Sequence, residues 1–78
     1  MIKEKLYLLL DEIVTDKDFE TSQEKLIEVS YNSILSLHFV SAIEDYFDVD
    51  IDNDDINAQF FSDFDYLEKL IGDYIKTK

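Results

Sequence analysis

A chain of 78 residues with 46% hydrophobic side chains is one small domain, because at this length folding buries only a little over ~60% of the surface the unfolded chain exposes. Such a core leaves little room for a deep catalytic cleft and favours a binding or carrier module over an enzyme. Its 19 acidic residues against 7 basic ones, all lysines, give a net charge of -12, which excludes a nucleic-acid binder: phosphate backbones would be repelled and no basic patch is available to displace counterions.

In chain order, Ile2, Leu6, Leu9, Leu10, Ile13 and Val14 recur at spacings of three and four between charged residues, which predicts an amphipathic first helix over Ile2 to Val14. From Thr15 to Ser30 polarity rises and the period weakens, so a long loop is expected, tucked onto the core through Phe19, Leu26, Ile27 and Val29. A second helix starts at Asn32 or Ser33 and ends near Phe47. Its core stripe is read as Phe39, Ile43 and Phe47, joined by Val40, Leu37 and Ile34; the opposite face presents Ser41, Glu44, Asp45 and Asp48.

An acidic connector spans Asp48 to Asp55, and Asp55 to Phe61 has room for only a short helix. Ser62 stands where an N-cap belongs, ahead of Asp63 and Asp65, whose charges suit a helix start. Phe64, Leu67, Leu70, Ile71, Tyr74 and Ile75 then predict a last helix from about Asp63 to Ile75, weakened modestly by Gly72. The expected fold is all-α, a small antiparallel bundle of three main helices plus one short helix, in a single domain over residues 1–78.

Ser33, in Tyr31-Asn32-Ser33-Ile34-Leu35-Ser36-Leu37, opens the second helix. Its hydroxyl can cap the first helical amides, a purely structural role contributing about 1 kcal/mol. The same place also suits an attached anion, held at the free amides and positive end of the helix dipole.

The stretch from Phe39 to Ile51 resembles the second helix of acyl carrier proteins, in which a serine at the helix start carries a phosphopantetheine arm. Asn32-Ser33-Ile34 stands where that family most often has Asp-Ser-Leu, and Leu37, Val40, Ile43, Glu44, Asp45 and Phe47 follow in one register. The segment Phe61 to Leu67 resembles the start of the family's last helix. The resemblance covers Leu26 to Ile75 and is weaker over the first helix. Asn32 in place of the usual aspartate, Ser30 in place of a frequent glycine, and Leu35 and His38 in place of commonly acidic or polar residues depart from the pattern.

The resemblance implies that Ser33, flanked by Asn32, accepts 4'-phosphopantetheine from coenzyme A through a phosphopantetheinyl transferase that uses magnesium. The arm's thiol would hold an acyl group as a thioester, which a chain without cysteine cannot do through its own side chains. Such a carrier is not itself an enzyme. Its partners would be acyl-loading and acyl-processing enzymes of fatty-acid, polyketide or related specialised biosynthesis, with basic docking surfaces. Glu44, Asp45 and Asp48 are either docking charges for them or a solvated face. Leu35 either contacts a partner or the arm, or is simply half-buried. An apolar pocket between the second and the short helix, lined by Phe39, Ile43 and Ile56, would take a short acyl chain.

Two alternatives stand beside this: an acidic helical interaction module with the carrier fold and no prosthetic group, and a peptidyl or aminoacyl carrier of a nonribosomal pathway. Asp48, Asp50, Asp52 and Asp54 do not make an EF-hand loop, since Asn53 replaces the glycine and Gln59 the glutamate; weak cation binding or a solvated turn remain as readings. His38 has no group placed to orient it as a base. With no apolar run near ~20 residues and an acidic N-terminal region unlike a signal peptide, a cytoplasmic monomer without membrane association is expected.

Overall fold

The computed structural model describes residues 2–15 and 20–77. Among them the fold is helical throughout: α1 (Ile2–Ile13), α2 (Ser22–Tyr31), α3 (Ser33–Phe47), a 3-10 turn at Asn53–Asp55, and α4 (Phe64–Lys76). The element α1 packs against each of the other helices, and α2 also packs on α3. It buries Leu6, Leu9 and Leu10 at the spacing its sequence announces, and Val14 follows just past its end. Phe19, expected to tuck onto the core, lies outside the described residues.

The expected long loop is instead largely α2. Thr21 caps it, its Oγ1 accepting the Glu24 N–H at 3.1 Å and donating to Glu24 Oε1 at 3.3 Å, in the Thr-x-x-Glu spacing of a capping box. Leu26 and Val29 are fully buried while Ile27 faces out. Four α-helices and a 3-10 turn therefore replace the three main helices and one short helix expected. Between α2 and α3 the chain direction bends by 119° across the single residue Asn32.

Along α3 the core stripe is Leu35, Phe39 and Ile43, with Ala42 and Phe47 beside it. Ile34 and Leu37, expected on that stripe, are exposed. The cause is helical geometry: steps of three residues walk about 60° round the helix each time, so a row drawn from Val40 through Leu37 to Ile34 leaves the buried face. Asp48 ends α3 at φ 55°, a left-handed conformation that aspartate tolerates better than most residues. Both the Asp48 and Val49 N–H groups donate to the Glu44 carbonyl.

In the connector, Val49 and Ile51 point into the core. Asp52 caps the 3-10 turn by accepting the Asp54 N–H, and residues 57–62 form turns instead of the short helix expected. Asn57 Oδ1 accepts the Gln59 and Phe60 N–H groups, and the Tyr66 hydroxyl donates to the Asp55 carbonyl. These bonds aim Phe60 inward, where its ring meets Phe39 edge-on at 6.3 Å. Each of these two fully buried rings contributes about 1.5–3 kcal/mol.

Asp63, not Ser62, is the N-cap of α4: Oδ1 accepts the Asp65 and Tyr66 N–H groups. The Tyr66 amide is the chief cause that holds the Asp63 carboxyl below the usual aspartate range. Phe64, Leu67 and Ile71 face the core, and Phe64 meets Tyr7 edge-on at 4.8 Å. Lys3 pairs with Asp65, joining α1 to the start of α4, and Lys25 pairs with Asp11, joining α2 to α1.

Candidate functional site

Ser33 is the first residue of α3, and it is exposed. The capping role it was offered belongs to Asn32, whose Oδ1 accepts the Ile34 and Leu35 N–H groups at 3.0 and 3.2 Å. Ser33 is thereby released. Its hydroxyl makes no hydrogen bond among the described residues. Its serine neighbours differ: Ser30 Oγ donates to the Ile27 carbonyl, and Ser36 Oγ reaches the Val29 and Asn32 carbonyls at 2.6 and 2.9 Å.

All three serines line one groove of about 610 Å³. Ser33, Ser36, Leu37 and Val40 supply its α3 wall at helical spacing; Ile56 and Phe61 close the far side, and Tyr31 stands at the end of α2. The far wall is fixed to the core, since Phe61 packs edge-on against Phe60 at 4.9 Å. Of the residues expected to line an apolar pocket, Ile56 does so; Phe39 and Ile43 are fully buried and do not line it. The mistake is one of depth: periodicity names the buried face but not which residues lie below the surface and which form its rim.

The first turn of α3 carries no carboxylate. An anion on the Ser33 hydroxyl would sit at the positive end of the helix dipole, where about 0.3–1 kcal/mol favours it. Two of the amides expected to be free there are engaged by Asn32, so that stabilisation comes from the dipole and the neutral cap more than from open N–H groups. A free, exposed hydroxyl at the mouth of an apolar groove fits a phosphodiester-linked arm with an apolar cargo.

The expected docking residues divide. Asp45 is exposed; Glu44 is half-buried, and its Oε2 accepts the Ile51 N–H at 2.9 Å. Asp48, also exposed, is the C-cap of α3. Leu35 is half-buried against the core, and the exposed apolar residues around Ser33 are Tyr31 (84% exposed), Ile34 (64%) and Leu37 (68%). Sequence reading missed these because they sit on the outward side of the same apolar runs that supply the core.

In the acidic connector, Asp55 Oδ2 accepts a hydrogen bond from the Tyr74 hydroxyl at 2.5 Å, and that hydroxyl accepts the Asp52 N–H at 2.9 Å. The Asp55 bond holds the Tyr74 phenol above its ordinary pKa. Among the described residues no three His, Asp or Glu side chains converge as metal ligands. His38 is exposed. No single helix among them is long and apolar enough to cross a membrane.

No family model, no curated protein and no solved structure matches this chain.

Proposed function

We propose that this protein is an acyl carrier, with Ser33 as the attachment point for 4'-phosphopantetheine. The observation that carries the reading is the release of the Ser33 hydroxyl: Asn32 takes over the cap, Ser30 and Ser36 are engaged with carbonyls, and Ser33 alone of the three stands free on the apolar groove. When bound, the group would supply a thiol for a thioester, which a chain without cysteine cannot supply from its own side chains.

The roles of the chain's own residues follow. Asn32 holds the first turn of α3 and orients Ser33 outward, while Leu37, Val40, Ile56 and Phe61 offer an apolar surface to a short cargo. Tethering raises the effective concentration of that cargo at each partner enzyme without lowering a barrier itself. The negative field, with Asp45 on the outer face of α3, favours partners with basic surfaces: a phosphopantetheinyl transferase first, then acyl-loading and acyl-processing enzymes. A peptidyl carrier would use Ser33 identically.

The test is the intact mass of the protein after incubation with coenzyme A, magnesium and a broad-specificity phosphopantetheinyl transferase, beside Ser33→Ala. A gain of one phosphopantetheine in the parent and none in the variant is expected. No gain in folded protein with several transferases sinks the proposal and leaves the reading as an acidic interaction module, which the exposed Tyr31, Ile34 and Leu37 favour.

A further inference from the structure

Past the end of α3 the chain runs from one buried side chain to the next with little beneath it. Ile51 and Phe60 are buried, and no side chain of residues 52–59 between them is; Ile56 alone of these packs half-buried against the core. The local backbone bonds are those of a tight turn: the Asp55 N–H donates to the Asp52 carbonyl at 2.9 Å and the Ile56 N–H to the Asn53 carbonyl at 3.1 Å. A segment with so few buried contacts has low local stability unless another element holds it. Yet Asn53 and Ile56 belong to the wall of the Ser33 groove that faces α3.

The hold comes from α4. Among the described residues, every hydrogen bond that leaves residues 52–57 for a helix ends on one of two tyrosine hydroxyls. The Tyr74 hydroxyl donates to Asp55 Oδ2 at 2.5 Å and accepts the Asp52 N–H at 2.9 Å. About two turns earlier on α4, the Tyr66 hydroxyl donates to the Asp55 carbonyl at 3.0 Å and accepts from Asn57 Nδ2 at 3.2 Å. Each phenol thus spends its one donor and takes one bond in return. Both rings pack half-buried against the core, which fixes where their hydroxyls stand. The turn is therefore divided by face: Asp52 and Asp55 are fastened to α4, while Asn53 and Ile56 are presented to the groove.

We propose that Tyr66 and Tyr74 are positioning residues for the Ser33 groove, a pair of hydroxyl latches on α4 that hold residues 52–57 back and so keep the groove's far wall in place. The groove touches neither tyrosine, so its shape is set from behind, by an element that contributes nothing to its lining. Without the two hydroxyls the segment keeps its own turn but loses its anchorage, and Asn53 and Ile56 no longer stand at a fixed distance from Leu37 and Val40. The inference rests on the groove being the cargo surface of the proposed carrier, and it requires no modification of Ser33.

Tyr66→Phe, Tyr74→Phe and the double variant remove the hydroxyls and keep the rings. Tyr7→Phe is the control, since the Tyr7 hydroxyl makes no hydrogen bond among the described residues. Two quantities are read on the unmodified protein: amide hydrogen exchange, and the affinity for hexanol, a neutral alkyl probe, followed by amide chemical shifts. In the parent, hexanol should shift Leu37, Val40 and Ile56. In the double variant the Asp55 and Ile56 amides, whose own acceptors the substitutions leave untouched, should exchange at least about tenfold faster, with α1 protection and circular dichroism unchanged. Hexanol should bind several-fold more weakly there, each single variant should fall between, and Tyr7→Phe should match the parent. Unchanged exchange at Asp55 and Ile56, an equal rise across α1 and α3, or parent-like hexanol affinity in the double variant would each overturn the proposal, as would hexanol shifts away from the groove in the parent. A failed mass gain at Ser33 would sink the carrier reading and leave these results standing; a failed latch would leave attachment at Ser33 untouched.

Discussion

Asn32 decides how Ser33 is presented. An amide oxygen caps as an aspartate would, without adding a full negative charge beside the hydroxyl. Asn32→Ala should destabilise the protein by about 1 kcal/mol, a fall in Tm of roughly 4–8 °C for a domain of this size. Asn32→Asp should keep the cap and gain about 0.3–1 kcal/mol from the dipole. Thermal unfolding followed by circular dichroism reads both, and an unchanged Tm in the alanine variant would mean that the cap does not hold the turn. That Ser33 opens a helix is legible from its place before an apolar run. Its freedom is not, because a serine and an asparagine side by side are both good caps and only the backbone selects between them.

Among the elements, α1, α3 and α4 follow from their apolar periods to within one or two residues. The element α2 does not: in Ser22–Tyr31 the only aliphatic residues are Leu26, Ile27 and Val29, too few to mark a period, and Glu, Gln, Lys, Ser and the terminal Tyr31 fill the rest. The Thr21-x-x-Glu24 spacing was its one local signal. In α4 the sequence places Gly72 mid-helix, and the structure shows what that leaves open. Among the described residues a Cβ there would meet Ile2 Cδ1 alone, at 3.8 Å, an ordinary packing distance, and the backbone is not left-handed. Gly72→Ala should therefore stabilise by about 0.5–1 kcal/mol, seen as a higher urea midpoint with an unchanged slope. A lower midpoint would show that α1 cannot accept the added methyl.

The whole molecule holds its net charge within a Cα radius of gyration of 11.7 Å and extents of 38 × 24 × 19 Å. At 0.01 M salt the Debye length is about 30 Å, so nearly every carboxylate feels every other; at 0.15 M it is about 8 Å and only neighbours interact. Among the described residues, the ion pairs of Lys3 and Lys25 each end on an exposed carboxylate and contribute little against this repulsion. Cohesion comes instead from the shared core of all four helices. Raising salt from 0.01 to about 0.15 M should therefore raise Tm by several degrees, and a fall would mean that attractive pairs outweigh the repulsion.

The residue that separates α2 from α3 is at once the C-cap of one, its N–H donating to the Val29 carbonyl, and the N-cap of the other. Most connections on a protein surface absorb an extra residue or lose one at small entropic cost. This one has no slack to share. An insertion between Tyr31 and Ser33 would split the two caps between different residues and rotate α3 relative to α2, carrying Ser33 away from Tyr31; a deletion would remove both caps together. Length at this junction is as constrained as residue identity, and variants that differ in length here would lose the groove even with every side chain of its wall intact.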